Sequence, residues 1–341
     1  MTHLVIVPVI LLSHRLAVGN LLVMDGGWNR FIALDWYDRP YVPGGWSEYP
    51  FFPLYPGLAG GLMRIGLPDT VALCGVSWLA ALAALAGVYR LAVRHLGTSR
   101  AAWAVWFVAL APGAIGMHLA YADGTFLAGL VWAVVLVEER RWRWAGVALL
   151  AVVASRPNGF LMLLPLALLW WRGDEQPVAT DRPERPVRSI ASLAWLVAPS
   201  LVFLAGWMLY LRWATHDAFV FWHAKSAWSE LTITEFLDEP IHHPLGAFHL
   251  AALAFLVVPY LLAVRRQPWP WAVLAALLVL PSAALGIEGV ARYGVLAFPF
   301  ALGATDVLVR RPKALAVAYL AVSGAAFVFL AHQVVSASWV P

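Results

Sequence analysis

Apolar windows of about 20 residues, each long enough to cross a hydrocarbon core as a helix, recur from one end of this 341-residue chain to the other, with charge confined to the breaks between them. In lipid every backbone N–H and C=O must find a partner within the protein, which leaves helices or closed barrels as spanning structures. A barrel is built from short strands that alternate apolar and polar residues, and these windows do not alternate. Only 12% of the residues are charged against 62% hydrophobic, and the mean hydropathy of +0.75 is far outside the range of soluble domains. The expected fold is an all-α polytopic membrane protein, a single integral-membrane domain over 1–341.

The windows place about 11 membrane segments, at 3–23, 70–89, 101–119, 121–137, 144–155, 158–171, 190–211, 247–264, 269–287, 292–308 and 314–335. The first resembles a signal peptide only in its apolar run. No small-residue cleavage site follows, so it is taken as a retained helix carrying His14 and Arg15 near its middle. Threading alternate loops to opposite sides puts fifteen of the 23 lysines and arginines on one side, seven on the other, and Arg15 within the first segment. The basic side is cytoplasmic by the positive-inside bias. The expected location is the plasma (inner) membrane, with the N-terminus inside, the C-terminus outside, and the two long loops, 24–69 and 212–246, facing out. The first loop is expected to carry short helices. The cytoplasmic stretch 172–189, with Pro177, Pro183 and Pro186 among mixed charges, reads as a connector.

Several classes of chemistry are excluded. Cys74 is the single cysteine, so no disulfide framework or cysteine metal site is available. No GxxxxGK[ST] or GxGxxG loop occurs, which argues against direct use of ATP or a nucleotide sugar. The pI near 9.4 comes from short loops with no continuous basic stripe, so nucleic acid is not an expected partner. His242, His243 and His249 fit no metal-ligand spacing.

Polar side chains that persist at membrane depth are expensive and mark sites. Asp25, between the first apolar run and Gly26-Gly27-Trp28, is placed for general-base work on a hydroxyl, or equally to cap a helix over Asn29 to Tyr37. Asp69, after Pro68, reads as a helix cap. Trp46, Glu48 and the run Tyr49 to Pro56 hold aromatic and acidic groups that suit either sugar contacts or anchoring in the headgroup belt. Three further corners hold cations or amides: Arg156 with Asn158, Arg292 with Tyr293, and His223 with Lys225. A guanidinium or ammonium at a partly dry site binds phosphate well, although the same side chains also snorkel to interfaces. Asp123, between two apolar spans, is available to pair with one of these cations. The third corner also reads as a surface-lying amphipathic helix with Trp222 and Trp228 toward lipid.

Taken together and in order, DGGWNRFIALDWY, FFPLYP, AYADGTF, SRPNG, AFVFWHAKSAW and ARYGVLAFP resemble the GPI mannosyltransferase II (PIG-V-like) family and its bacterial relatives, within the GT-C glycosyltransferase superfamily. The resemblance runs from Asp25 to about Pro299. It implies a GT-C-type helix bundle with its active site at the first outer loop, and a polyprenyl-phosphate sugar donor, usually mannose, entering from the lipid. It implies no cofactor, and a glycolipid, glycan or protein as acceptor. It maps the catalytic acid onto Asp25 and the donor's surroundings onto Arg156, Asn158, Arg292 and the His223–Lys225 region; Trp28, Glu48, Tyr55, Asp123 and Tyr293 complete the candidate substrate-binding residues. This chain departs from the family in having Asp123 where a Glu is often found. The rival expectation is a polytopic transporter or lipid flippase, and a third is a non-catalytic GT-C-like subunit.

Overall fold

The computed structural model describes residues 21–173, 189–227, 232–239 and 242–335. Most of the first expected segment, with Arg15, most of the 172–189 connector, and Trp228 therefore lie outside the described residues. Within them the chain is helical, with no strand. Two short helices, α1 (Asp25–Asp35) and α2 (Leu54–Arg64), precede the 28-residue α3 (Asp69–Leu96) and α4 (Thr98–Ala109). After a 3-10 turn at Pro112–Met117 come α5 (Asp123–Glu138) and α6 (Trp142–Ser155). A second 3-10 turn, Pro157–Met162, leads into α7 (Leu163–Arg172), and the long α8 (Ile190–Thr215) follows. The remaining elements are α9 (Val220–His223), α10 (Ile233–Asp238), α11 (Pro244–Ala263), α12 (Trp269–Leu285), α13 (Val290–Leu296), α14 (Pro299–Leu308) and α15 (Lys313–Val335).

Among the described residues, four helices are long and apolar enough to cross a bilayer: Asp69–Leu96, Ile190–Thr215, Pro244–Arg266 and Lys313–Gln333. Around them, windows that read as single spans are broken where proline removes a backbone donor and clashes with the preceding turn. The 101–119 window ends its α-helix at Ala109 and becomes a 3-10 turn at Pro112. The 292–308 window is divided at Pro299 into α13 and α14. Each break leaves an α-helix too short to cross a bilayer by itself.

The core is built on α5, which packs against α3 and α6, while α6 packs against α8. Leu127, Leu130, Val131 and Val134 of α5 are fully buried. The α6–α8 contact is close because Gly146 faces the Trp195 carbonyl with no room for a Cβ, the small-residue packing that helices in lipid rely on. By contrast α8 exposes Val202, Leu209 and Trp213, as a helix surrounded by lipid should. A second, smaller core of Ile32, Tyr37, Tyr49, Phe52, Trp207, Leu211 and Val220 seats the 36–53 loop and α9 on the C-terminal end of α8.

The polar side chains divide between two ends of the bundle. At a rise of about 1.5 Å per residue, α4 and α5 extend for about 18 and 24 Å. Asp123 opens α5 at one end and Glu138 closes it at the other. Arg30 pairs with Asp69 at the first end, and Arg94 and His95 with Glu138 at the second.

Candidate functional site

Four charged side chains from four distant stretches meet at the first end. Asp25 is the first residue of α1, and Met24 before it adopts φ +47°, a strained backbone of the kind found at functional sites. Asp123 is the first residue of α5. Both carboxylates therefore face the positive end of a helix dipole. Arg156 stands in extended backbone between α6 and the Pro157–Met162 turn, and Arg292 lies in the short α13.

The geometry forms one chain of ion pairs. Asp25 Oδ2 accepts from Arg292 Nη2 at 3.1 Å. Arg292 Nε is 3.6 Å from Asp123 Oδ1, which also accepts from Arg156 Nη1 at 2.7 Å. Arg156 Nη2 donates to the Tyr293 hydroxyl at 3.1 Å, and its guanidinium lies over the Tyr293 ring at 4.9 Å. Arg292 lies over the Tyr121 ring at 4.7 Å. Exposure is graded along the chain: the Asp123 and Arg292 side chains are 4% and 7% exposed, Arg156 12% and Asp25 25%. Asp25 is thus the member most open to an incoming molecule. Two carboxylates and two guanidiniums leave the cluster formally neutral.

Local packing explains why these side chains meet. Gly113 lies against α13, where an added Cβ would overlap the Ala291 carbonyl and come within 2.5 Å of the Arg292 nitrogen. At Gly116 a Cβ would press on the Asp123 carboxyl carbon at 3.2 Å and the Arg292 chain at 3.3 Å. The start of α1 is pinned to the same segment by Asn29 Nδ2 donating to the Ala120 carbonyl at 3.1 Å and the Ala120 N–H donating to the Leu21 carbonyl at 3.0 Å. Ser77 on α3 donates to the Tyr121 carbonyl at 2.8 Å. The Pro112 break is therefore what delivers 112–121 to the cluster.

Of the residues singled out in the sequence, Asp25, Asp123, Arg156, Arg292 and Tyr293 come together. Asn158 is half-buried one turn beyond Arg156. The others are placed differently. The buried Tyr55 hydroxyl donates to the Leu73 carbonyl at 2.9 Å and lies 3.3 Å from Ser77 Oγ, so it braces α2 on α3. Trp28 stacks with Phe51 at 6.3 Å. Glu48 is buried in the second core. Its Oε1 accepts from the Arg39 N–H at 3.2 Å, and its Oε2 has no hydrogen-bond partner among the described residues. Burial pushes its carboxyl above the ordinary value, against hydrogen bonds that draw it down. The Tyr49 hydroxyl, buried beside Glu48, is pushed up to about 12. His223 pairs locally with Asp217 at 2.6 Å, and Lys225 shares its helical corner, where Trp222 is exposed. Asp69 opens α3 as its first helical residue, with Pro68 in the cap position, and pairs with Arg30. No group of three His, Cys, Asp or Glu side chains able to hold a metal occurs among the described residues.

Sequence reasoning did not single out Tyr121, Gly113, Gly116 or Asn29. The Pro112-Gly113 dipeptide was the available signal for a break. Comparison with family models, curated proteins and solved structures finds no match to this chain.

Proposed function

We propose that the chain is an inverting membrane glycosyltransferase of the GT-C type, a bundle of about 11 membrane segments with its site on the non-cytoplasmic face and its N-terminus in the cytoplasm. It moves a sugar, mannose by the family resemblance, from a polyprenyl-phosphate donor to a hydroxyl of a glycolipid, glycan or protein. The observation that supports this most is the convergence of Asp25, Asp123, Arg156 and Arg292 at one end of the bundle, with Asp25 the most exposed of the four.

The chemistry follows from that order. The acceptor oxygen forms a bond to the anomeric carbon as the bond from that carbon to the phosphate oxygen breaks. The acceptor proton goes to Asp25, and the electron pair stays on the lipid phosphate, where preorganised guanidiniums stabilise the growing charge. Because the cluster is neutral before substrate arrives, the donor phosphate must compete with a carboxylate for Arg292. As that guanidinium turns from Asp25 to the phosphate, the Asp25 oxygen that it occupied becomes available to the acceptor hydroxyl. Asp123, held by Arg156 at 2.7 Å, stays in place and positions both arginines. No cofactor enters this scheme.

The test is transfer of label from polyprenyl-phosphate mannose, glucose and arabinose to a membrane lipid extract by purified protein. One donor is expected to react, and Asp25→Asn, expressed and membrane-inserted, is expected to lose activity by at least about a hundredfold, the low end for losing a general base. Normal transfer by that variant, or no transfer from any donor, overturns the proposal.

A further inference from the structure

The opposite end of the bundle carries a charge cluster of different stoichiometry. Asp306, near the C-terminus of α14, has a side chain only 3% exposed and is contacted by three arginines from three elements. Arg100 of α4 approaches Oδ1 at 3.3 Å, Arg310 one turn beyond Asp306 donates to Oδ1 at 2.8 Å, and Arg266 after α11 lies 3.1 Å from Oδ2. The neighbouring cluster is balanced: Arg90 and Arg94 face Glu138 and Glu139. Among the described residues, three guanidiniums share one carboxylate at Asp306, a formal excess of two positive charges. Arg266 and Arg310 remain 51% and 54% exposed, so donors are left over and turned outward.

The site also continues into an apolar surface. Arg266 Nη2 donates back to the Leu262 carbonyl at 3.4 Å, which lays the arginine along α11. On that helix Val258, Leu261 and Leu262 are each more than half exposed. A free anion needs no such track, whereas a lipid needs both parts: a phosphodiester for the surplus guanidiniums and acyl chains for the aliphatic face.

We infer that the Asp306 cluster is a headgroup site for an anionic phospholipid, at the end of the bundle remote from Asp25. This does not depend on the glycosyltransferase reading, only on the chain lying in a bilayer. The variant that tests it is Arg266→Gln/Arg310→Gln, which leaves the one-to-one Arg100–Asp306 pair. Wild type and variant are reconstituted in phosphatidylcholine nanodiscs titrated with phosphatidylglycerol, and bound anionic lipid is counted by native mass spectrometry alongside melting by tryptophan fluorescence. Wild type is expected to retain phosphatidylglycerol and melt higher with it, and the variant to retain it about thirtyfold less, from two basic contacts near a membrane surface. Asp306→Asn, which removes the competing carboxylate, is expected to retain more lipid than wild type if it folds. Should the double variant not fold, Arg266→Gln alone is expected to show the same loss at smaller amplitude. Equal retention by wild type and the arginine variant overturns the inference. So does an equal rise in melting temperature from inorganic phosphate in pure phosphatidylcholine, which assigns the site to a soluble anion.

Discussion

Asp123 and Asp25 contribute differently to the ion-pair chain, and the difference can be measured without knowing any substrate. Asp123→Asn removes the one carboxylate that, among the described residues, lies within 4 Å of both arginines. It leaves Arg156, 12% exposed, beside the Tyr293 hydroxyl and ring, and takes from Arg292 the more buried of its two carboxylate neighbours while its bond to Asp25 remains. Breaking a buried ion pair by deleting one partner costs about 3–5 kcal/mol, because a desolvated charge is left uncompensated. Asp25→Asn also leaves one surplus cation, but Arg292 keeps Asp123 at 3.6 Å, and water already reaches this end of the cluster. Its cost should be nearer that of an ordinary hydrogen bond to a charged group in contact with solvent, about 1 kcal/mol. At roughly 2 °C per kcal/mol for a large domain, Asp123→Asn should melt about 4–8 °C below Asp25→Asn. Heat unfolding of detergent-purified protein, followed by the fluorescence of its 19 tryptophans, measures this directly. Adding Arg156→Gln to Asp123→Asn restores neutrality and should recover part of the loss, by about 0.5–3 kcal/mol of coupling. If Asp25→Asn is as damaging as Asp123→Asn, or the double variant is additive, the cluster is not organised around Asp123.

Tyr293→Phe should cost about 1 kcal/mol, the hydrogen bond from Arg156, whereas Tyr293→Leu should cost more because the ring beneath the guanidinium is lost as well; a melting series separates the two. Gly113→Ala should destabilise by about 1–3 kcal/mol through overpacking, because its Cβ would meet the Ala291 carbonyl and the Arg292 nitrogen; wild-type melting would refute the close approach. Glu48 has a carboxyl raised above its ordinary 4.5, so the folded state binds its proton more tightly than the unfolded one, and stability contributed by the protonated form is lost as pH rises from about 4.5 through the raised value. Glu48→Gln should remove that loss, melting at or above wild type near neutral pH and converging with it in acid; a parallel pH profile for the two proteins would count against it.

The helical character of the chain, and helices long and apolar enough to cross a bilayer, could be read directly because apolar content over 20 residues is a local property. Most of the ion cluster was legible too, since Asp25, Asp123, Arg156 and Arg292 are charges in places where an unpaired charge is costly, and cost implies partners even before their identity is known. What the sequence does not carry is which partner each one finds. His223 and Lys225 occupy the same kind of position as Arg156, yet His223 is satisfied by Asp217 six residues away. Glu48 lies in the same loop as aromatic residues suited to a sugar, and those residues fold over it to make a core. Gly113 and Gly116 have no signature of their own, because what fixes them is the nearness of Ala291, Arg292 and Asp123. Asp306 shows the same limit. Its i,i+4 relation to Arg310 is visible in the sequence, but Arg100, 206 residues away, is not.

The two polar ends also differ in a way that bears on how the protein would work. At the Asp25 end the charges cancel, so an anion gains nothing from net attraction and must displace a carboxylate from Arg292 to bind. Such a site discriminates: it exchanges one hydrogen-bonded arrangement for another, and only a ligand that fits both the arginines and the freed Asp25 makes the exchange favourable. At the Asp306 end the described cations outnumber the carboxylate and two of them, Arg266 and Arg310, stand half in solvent, so an anion adds to what is present and displaces nothing. Salt should separate the two. Binding driven by exposed surplus charge weakens as ionic strength rises, whereas an exchange within a cluster whose arginines are 12% exposed or less should respond far less. Phosphatidylglycerol retention that falls between low and high salt, while donor-dependent turnover in phosphatidylcholine stays level, is the outcome this charge arrangement requires. The reverse order would mean that the roles of the two ends have been exchanged.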